Sequence, residues 1–177
     1  MKFSPSHGTQ PNSRLSRGFT LLEMLIVIGI LGILLALSYP SILNSMHTRA
    51  LEGTARTITT DLQWAKNLAV KTKVMHRLRF AQQDGVWISY LEREVQPDVW
   101  QDIPGYVKRS ISTNFNVTLS LPTEGVIYDS LGLVYNYSAN QNSIILQSDK
   151  LKNQEQPDVR QIQVFAGGTV EYLRTSS

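Results

Sequence analysis

Glu23 is the residue whose chemistry is most out of place in this sequence. It lies near the start of an almost continuously apolar run, from Phe19 to Tyr39. A charged side chain near the bilayer centre costs about 2.5–3.5 kcal/mol on insertion scales, and somewhat less near the end of a span. The simplest interpretation is a side chain that reaches the lipid headgroups. The alternative is a carboxylate that is kept because it pairs with another charge.

Other residues that could do chemistry are few. The chain has no cysteine, which excludes disulfides and thiolate metal sites. Beyond residue 18 its histidines are His47 and His76, which fall on a predicted helix and a predicted strand without the spacing of metal ligands. No nucleophile motif, Walker loop or dinucleotide fingerprint occurs, and Gly167-Gly168 is interpreted as a turn. The sequence therefore predicts no enzyme, no catalytic residue, no cofactor and no metal site.

The basic charge is concentrated in the first 18 residues. They hold Lys2, Arg14 and Arg17 and no acid, whereas the 14 remaining basic residues are matched by 14 acidic ones. Without this leader the chain is formally neutral, so its overall charge gives no reason to expect nucleic-acid binding.

The apolar run is long enough to cross a membrane. As a helix, its 21 residues would span roughly 32 Å at about 1.5 Å per residue. Basic residues precede it, which predicts a cytoplasmic N-terminus. It is longer than the apolar core of a secretory signal peptide and ends without a small-x-small cleavage site. A plain signal anchor fits its length but leaves Glu23 unexplained.

The stretch RGFTLLEML, residues 17–25, resembles the leader and mature N-terminus of type IV pilins and pseudopilins. The resemblance implies that prepilin peptidase cuts between Gly18 and Phe19, that Phe19 is then N-methylated, and that Glu23 and Pro40 match the family's glutamate and helix-weakening proline. A free amine at Phe19 and the Glu23 carboxylate could then pair between neighbouring subunits in an apolar filament core. There the charges are poorly screened, so the pair would fix the register of assembly.

The residues after Pro40 continue a helical pattern to about Lys71. One apolar stripe recurs at spacings of three and four: Leu51, Ala55, Ile58, Leu62, Ala65 and Ala69. Arg49, Glu52, Arg56 and Lys66 lie off that stripe. Trp64 is predicted to be a core or rim aromatic rather than a partner contact.

From Val74 onward the pattern changes to short strands and turns. In VMHRLRF, residues 74–80, the side chains of His76, Leu78 and Phe80 alternate with those of three other residues, and VWISYLERE follows a Gln82–Gly85 turn. Further strands are predicted at NVTLSL, GVIYD, LGLVYNYS and SIILQSD, with a final hairpin around Gly167-Gly168. QPDVWQDIPGY and DKLKNQEQPD are predicted loops. The fold class is therefore α+β, with a long N-terminal helix packed on antiparallel sheets.

This second half resembles the GspH/FimT branch of the pilin-like proteins. The resemblance rests on AxxLxxDLQWAKNLAV in the helix, a GVW-type hairpin, the turn from Asp129 to Gly132 and the terminal RxIxV…GG…V hairpin. It implies a minor pseudopilin of type II secretion, helping to initiate or tip a periplasmic pseudopilus. The alternative is a FimT-like minor pilin of a type IV pilus, with a possible role in DNA uptake.

Nucleic acid is the weaker of the predicted partners. Some FimT-type proteins bind DNA through arginines after the final glycine, but in GGTVEYLR Thr169 and Glu171 stand at the expected positions and Arg174 alone remains. The acid-free segment 66–79 adds basic residues that could contact phosphate, although a solvated basic face is the better explanation of it. These residues are Lys66, Lys71, Lys73, Arg77 and Arg79.

The predicted organisation has four parts. Residues 1–18 are a prepilin leader, 19–39 a transmembrane and filament-core helix, 40–73 its amphipathic continuation, and 74–177 a periplasmic β-rich domain. The family implies a bacterial inner-membrane protein with a single pass. Its partners would be other pilin-like helices, prepilin peptidase and the inner-membrane assembly platform.

Overall fold

A computed structural model describes residues 19–135 and 137–177, except for the side chains of 38–44. Gly18 and the leader lie outside the described residues. Contacts divide the chain into two compact units, one ending at Pro40 and the other comprising Ser41–Ser177. The predicted boundaries of the four parts remain predictions.

Helix α1 spans Leu21–Thr72 and includes Pro40. In the first unit, the described large apolar side chains of α1 are exposed around the whole helix surface, a pattern typical of a helix that is buried in a membrane or a bundle. No helix within the residues that the structure describes meets the length and apolarity needed to cross a bilayer.

In the second unit, one face of α1 is buried. All six residues of the predicted stripe are at most 1% exposed, which confirms the helical prediction. They form one core with Leu78, Phe80 and Leu91 of the first sheet and with Ile144, Leu146 and Ile162 of the second. Trp64 lies at the rim of this unit, 42% exposed, with its ring centroid 5.4 Å from that of Tyr106.

The first sheet contains strands β1 to β4 and β6. Their bounds are His76–Gln83 (β1), Val86–Gln96 (β2), Val99–Asp102 (β3), Arg109–Ser110 (β4) and Gly125–Tyr128 (β6). The order is β3-β2-β1-β6, with β4 also paired to β2, and every pairing is antiparallel. His76, Leu78 and Phe80 face the core, as the alternation predicted.

The second sheet has the order β5-β7-β8-β9 and is also antiparallel. Its strands are Asn116–Ser120 (β5), Ser143–Gln147 (β7), Val159–Val164 (β8) and Val170–Thr175 (β9), and the short helix α2 at Asp149–Lys152 follows β7. The α+β prediction is therefore confirmed.

Three local predictions were wrong. The stretch 131–138, predicted as a strand, makes only isolated bridges at Val134 and Ser138 among its described residues. The first residues of this stretch form a turn instead of a strand. Asp129 Oδ1 stabilises the turn by accepting hydrogen bonds from the N–H groups of Leu131 and Leu133, both at 2.9 Å. The two predicted loops contain β3 and α2.

Candidate assembly segment and basic residues

The N-terminal segment presents Glu23 in the first turn of α1. Thr20 immediately precedes the helix, and its Oγ1 accepts the backbone N–H of Glu23 at 3.2 Å. This is the first half of a capping box, and a carboxylate in a first turn is also favoured by the helix dipole. The Thr-x-x-Glu pattern of residues 20–23 could have revealed this cap in the sequence. Phe19 and Glu23 are both exposed, so the carboxylate is available to a partner.

The basic candidates do not form one surface. Lys66 Nζ donates to the carbonyl oxygens of Gly167 and Gly168, and Lys73 Nζ donates weakly to that of Ser130 at 3.4 Å. Lys71 is exposed in the last turn of α1 and has no side-chain partner among the described residues. Two of the three lysines are therefore engaged within the protein.

The strand arginines are held by carboxylates and aromatic rings. Arg77 Nε donates to Glu92 Oε2 at 2.6 Å, and its guanidinium lies 4.2 Å from the ring centroid of Trp100. Arg79 forms an ion pair with Glu124. Both arginines are thus neutralised, which a run of basic residues in sequence cannot reveal because their partners are distant in the sequence: Glu92 lies on β2, Trp100 on β3 and Glu124 just before β6.

Arg174 lies elsewhere, on β9. It is exposed and stands opposite Arg160 of β8 in the strand register. It therefore lies on a different element from the other five candidates for nucleic-acid contact, which are on or just after α1 or on β1.

Lys66 belongs to a junction of three segments. Gly132 and Gly168 have φ angles of +83° and +71°, and a Cβ atom on Gly168 would fall under 3.0 Å from the Gly132 carbonyl oxygen. The Val134 N–H also donates to the Ala166 carbonyl at 2.9 Å. The Asp129–Gly132 turn and the Gly167-Gly168 hairpin thus pack on the helix at Lys66, and this contact explains why both motifs need glycine.

A buried carboxylate that the sequence gave no reason to single out is Asp61, 3% exposed on α1. Its Oδ2 accepts the Tyr106 hydroxyl at 2.7 Å and the Arg109 Nε at 3.1 Å. Burial, with the hydrogen bond to Asp61, raises the pKa of Tyr106 to about 12, so this hydroxyl remains a donor at neutral pH. These contacts of Asp61 hold the loop before β4, and the start of β4 itself, against helix α1.

Asp158 similarly holds the last residue of the sequence. Its carboxylate accepts the N–H and hydroxyl of Ser177, each at 2.9 Å, and the Gln147 amide at 2.9 Å. Burial acts to raise the pKa of Asp158, but these hydrogen bonds outweigh it and lower the pKa to about 2. Both buried carboxylates thus have structural partners. Among the described residues, no group of three histidine or acidic side chains could hold a metal ion.

Two comparisons with known proteins bear on this chain, one for its N-terminal segment and one for its fold. Residues 13–39 match the family model of the prokaryotic N-terminal methylation motif. The chain carries the N-methylation motif of type IV pilin-like proteins. The match includes the predicted cleavage position between Gly18 and Phe19 and extends to Tyr39.

The fold of this pilin-like chain is similar to that of the minor pseudopilin EpsH from the type 2 secretion system of Vibrio cholerae. The TM-score is 0.53 at 10% sequence identity, and the similarity covers 70% of this chain and 95% of EpsH. No curated protein matches the sequence. The methylation motif and this fold together support the GspH/FimT-like resemblance.

Proposed function

We propose that this protein is a minor pseudopilin of a type II secretion system. The observation that carries the proposal is the pseudopilin fold of the chain, present together with the N-terminal methylation motif. In this role the protein is a structural subunit that helps to initiate or tip a periplasmic pseudopilus, and it catalyses no reaction.

The proposed route to assembly begins in the inner membrane. Residues 19–39 anchor the precursor with its N-terminus in the cytoplasm and its β-rich domain in the periplasm. Prepilin peptidase cuts between Gly18 and Phe19, and Phe19 is methylated. The exposed apolar surface of α1 supports this proposal, because it needs either lipid or other apolar helices to cover it.

Glu23 then fixes the register between neighbouring subunits. Cleavage creates a positive amine at Phe19, and the exposed Glu23 carboxylate of one subunit pairs with the amine of its neighbour once both enter the apolar core of the filament. Poor screening strengthens the pair there. Pro40 lacks the N–H that a regular helix uses, so the segment around it can adjust when helices pack.

The contacts of the basic residues support the secretion role over DNA uptake. Lys66, Arg77 and Arg79 have partners within the protein, and Arg174 lies on the second sheet whereas Arg77 and Arg79 lie on the first. A DNA-binding pilin needs several unpaired cations along one surface.

The test is the secreted proteome of a strain that lacks the gene, compared with the parent and a complemented strain. A pseudopilin role predicts that folded exoproteins accumulate in the periplasm and return to the medium on complementation. An unchanged secretome contradicts the proposal and favours a type IV pilus subunit. DNA uptake by the same strains is then the measurement that decides.

A further inference from the structure

Arg160 of β8 is a fully buried arginine with unused hydrogen-bond donors. Its exposed fraction is 0%, and its Nη1 donates to the carbonyl oxygens of Pro157 and Val159, both at 3.0 Å. Within the described part of the chain its Nε and Nη2 have no partner. Arginine is rarely buried without a counter-charge, because a desolvated guanidinium that lacks acceptors is strongly unfavourable.

A second unpartnered polar group lies beside it. In the β8–β9 register Arg160 stands opposite Arg174 and Ile162 opposite Tyr172. Tyr172 is therefore the diagonal neighbour of Arg160 on the same sheet face, within reach of a long side chain. The Tyr172 hydroxyl is also buried and has no partner among the described residues. Two adjacent donor groups thus lack an acceptor.

The charge around these donors is positive. The Arg56 guanidinium of α1 lies 6.0 Å from the centroid of the Tyr172 ring, and Arg174 flanks it on β9. The carboxylate of Glu52 is already bound by Arg56, through Nε at 3.1 Å and Nη2 at 2.6 Å. Its pKa is lowered first by that hydrogen bond and then by the charges of Arg56, Arg160 and Arg174.

We propose that Arg56, Arg160, Tyr172 and Arg174, here termed the arginine cluster, bind one oxyanion of the carboxylate or phosphate type. Such an ion offers several lone pairs and a negative charge, which is what two guanidinium N–H groups and a hydroxyl require. Planar guanidinium groups match carboxylate and phosphate oxygens in a bidentate manner.

The Arg56–Glu52 pair next to the cluster is exposed enough to rearrange around an ion. The side chains of Arg56 and Glu52 are 70% and 29% exposed, and the two residues are four positions apart on the helix. Exposed pairs of this kind are weak, so a stronger anion can displace Glu52 and engage Arg56. The oxyanion can be a phosphate or a carboxylate, and the test below distinguishes these two chemistries. The inference does not depend on the secretion role.

The test uses the full-length protein in non-ionic detergent, unfolded by heat and followed by tryptophan fluorescence. Sodium phosphate, sodium acetate and sodium chloride are compared at equal ionic strength. A bound oxyanion raises the midpoint in a saturable way that chloride does not reproduce. A larger response to phosphate assigns a free phosphate, whereas a larger response to acetate assigns a carboxylate group. No response beyond that of chloride overturns the proposal.

Variants separate binding from the general stabilisation that phosphate gives to folded proteins. Arg174→Gln, Arg56→Gln and Tyr172→Phe each remove one donor from the cluster and should weaken the apparent binding constant roughly tenfold, as expected for one hydrogen bond to a charged group. Arg49→Gln, an exposed arginine of the same helix, is the matched control and should respond as the parent does.

Arg160→Met tests the buried group directly. It removes the buried guanidinium together with the Nη1 hydrogen bonds to the Pro157 and Val159 carbonyls, so the variant should lose the specific response to phosphate and acetate, whatever its stability in chloride. Responses that are equal in the parent and in all four cluster variants show a salt effect alone and overturn the proposal.

Discussion

The Nζ atom of Lys66 lies 3.0 Å from the carbonyl oxygen of Gly167 and 3.2 Å from that of Gly168. A helix side chain therefore donates two hydrogen bonds to the tip of a hairpin more than a hundred residues away along the chain. Because the donor carries a charge, these bonds hold the hairpin more firmly than neutral ones would.

Replacing Lys66 by Met should weaken this junction. The methionine keeps the apolar stem but leaves both carbonyl groups without the donor, and we expect the free energy of unfolding to fall by roughly 1–2 kcal/mol. Urea titration followed by circular dichroism measures the change.

Lys71→Met is the matched control, since Lys71 is exposed and has no side-chain partner among the described residues. It should lower stability by no more than about 0.5 kcal/mol, the value of a favourable helix-dipole contact. Equal losses in both variants would show that the lysine charge, rather than the contact with Gly167 and Gly168, stabilises the fold.

The adjacent glycine gives a second test of the same junction. Gly168→Ala places a Cβ atom against the Gly132 carbonyl oxygen at a φ of +71°, so it combines a steric clash with an unfavourable backbone conformation. We expect a loss of more than about 2 kcal/mol of unfolding free energy, again by urea titration.

Gly167→Ala is a control one residue away, because a Cβ atom there meets nothing within 4 Å. It should change the unfolding free energy by less than about 0.5 kcal/mol. If Gly168→Ala is as well tolerated as Gly167→Ala, the close packing of the hairpin on the Asp129–Gly132 turn is wrong.

The sequence predicted the elements whose pattern is local. The α1 stripe follows from the 3.6-residue period, and the core face of β1 follows from alternation. The final hairpin follows from adjacent glycines between two apolar runs. The stretch 131–138 was predicted wrongly because its apolar residues imitate a strand, whereas the Asp129 carboxylate turns the backbone at Leu131 and Leu133.

The basic residues show why site prediction from the sequence was less complete. Whether Arg77 is a free cation or one half of an ion pair depends on Glu92 of β2, and its guanidinium also lies over the ring of Trp100 of β3. Neither contact can be placed from sequence spacing alone. Arg160 was not singled out for the same reason. Nothing in RQIQV distinguishes a buried arginine from a solvated one.

Burial of His76 predicts a loss of stability in mild acid. Burial lowers its pKa below the ordinary 6.5, against a smaller effect of the hydrogen bond to the Val74 carbonyl, so the folded chain binds this proton less readily than the unfolded chain. The stabilising contribution of neutral His76 is fully present above the pKa of the unfolded chain. The free energy of unfolding should therefore fall as the pH drops from about 6.5 towards the pKa of the folded chain. Urea titrations between pH 7.5 and about 5 measure that slope.

His76→Gln should flatten the slope, whatever it does to stability at neutral pH, because the titrating group is gone. His47→Gln should retain the slope of the parent, since the His47 ring lies at the surface, with its Nε2 3.3 Å from Lys150 Nζ. A parent protein with constant stability over this range would contradict the burial argument.

Processing of the N-terminus is expected to depend on Gly18. Gly18→Val places a branched side chain at the predicted cleavage position, and the unprocessed 177-residue chain should accumulate in the membrane fraction. Intact-mass measurement distinguishes precursor, cleaved chain and methylated chain. Gly8→Val is the control within the same segment and should be processed normally. Normal cleavage of Gly18→Val refutes the assignment.

Assembly should depend on the charge of Glu23. Glu23→Val makes the segment wholly apolar, so membrane insertion should be retained or strengthened, as the cost of a carboxylate in lipid predicts. The variant cannot pair with a neighbouring Phe19 amine, and we expect it to fail in complementing a deletion strain, measured by secretion or filament formation.

Thr20→Ala separates this role from helix capping, because Thr20 Oγ1 is the acceptor of the Glu23 N–H. Loss of a threonine cap costs about 1 kcal/mol of helix stability but leaves the Glu23 carboxylate in place. If the carboxylate acts between subunits, Thr20→Ala should complement and Glu23→Val should not. If both variants fail alike, Glu23 acts by starting the helix, and if both complement, the pairing with Phe19 is not required for assembly.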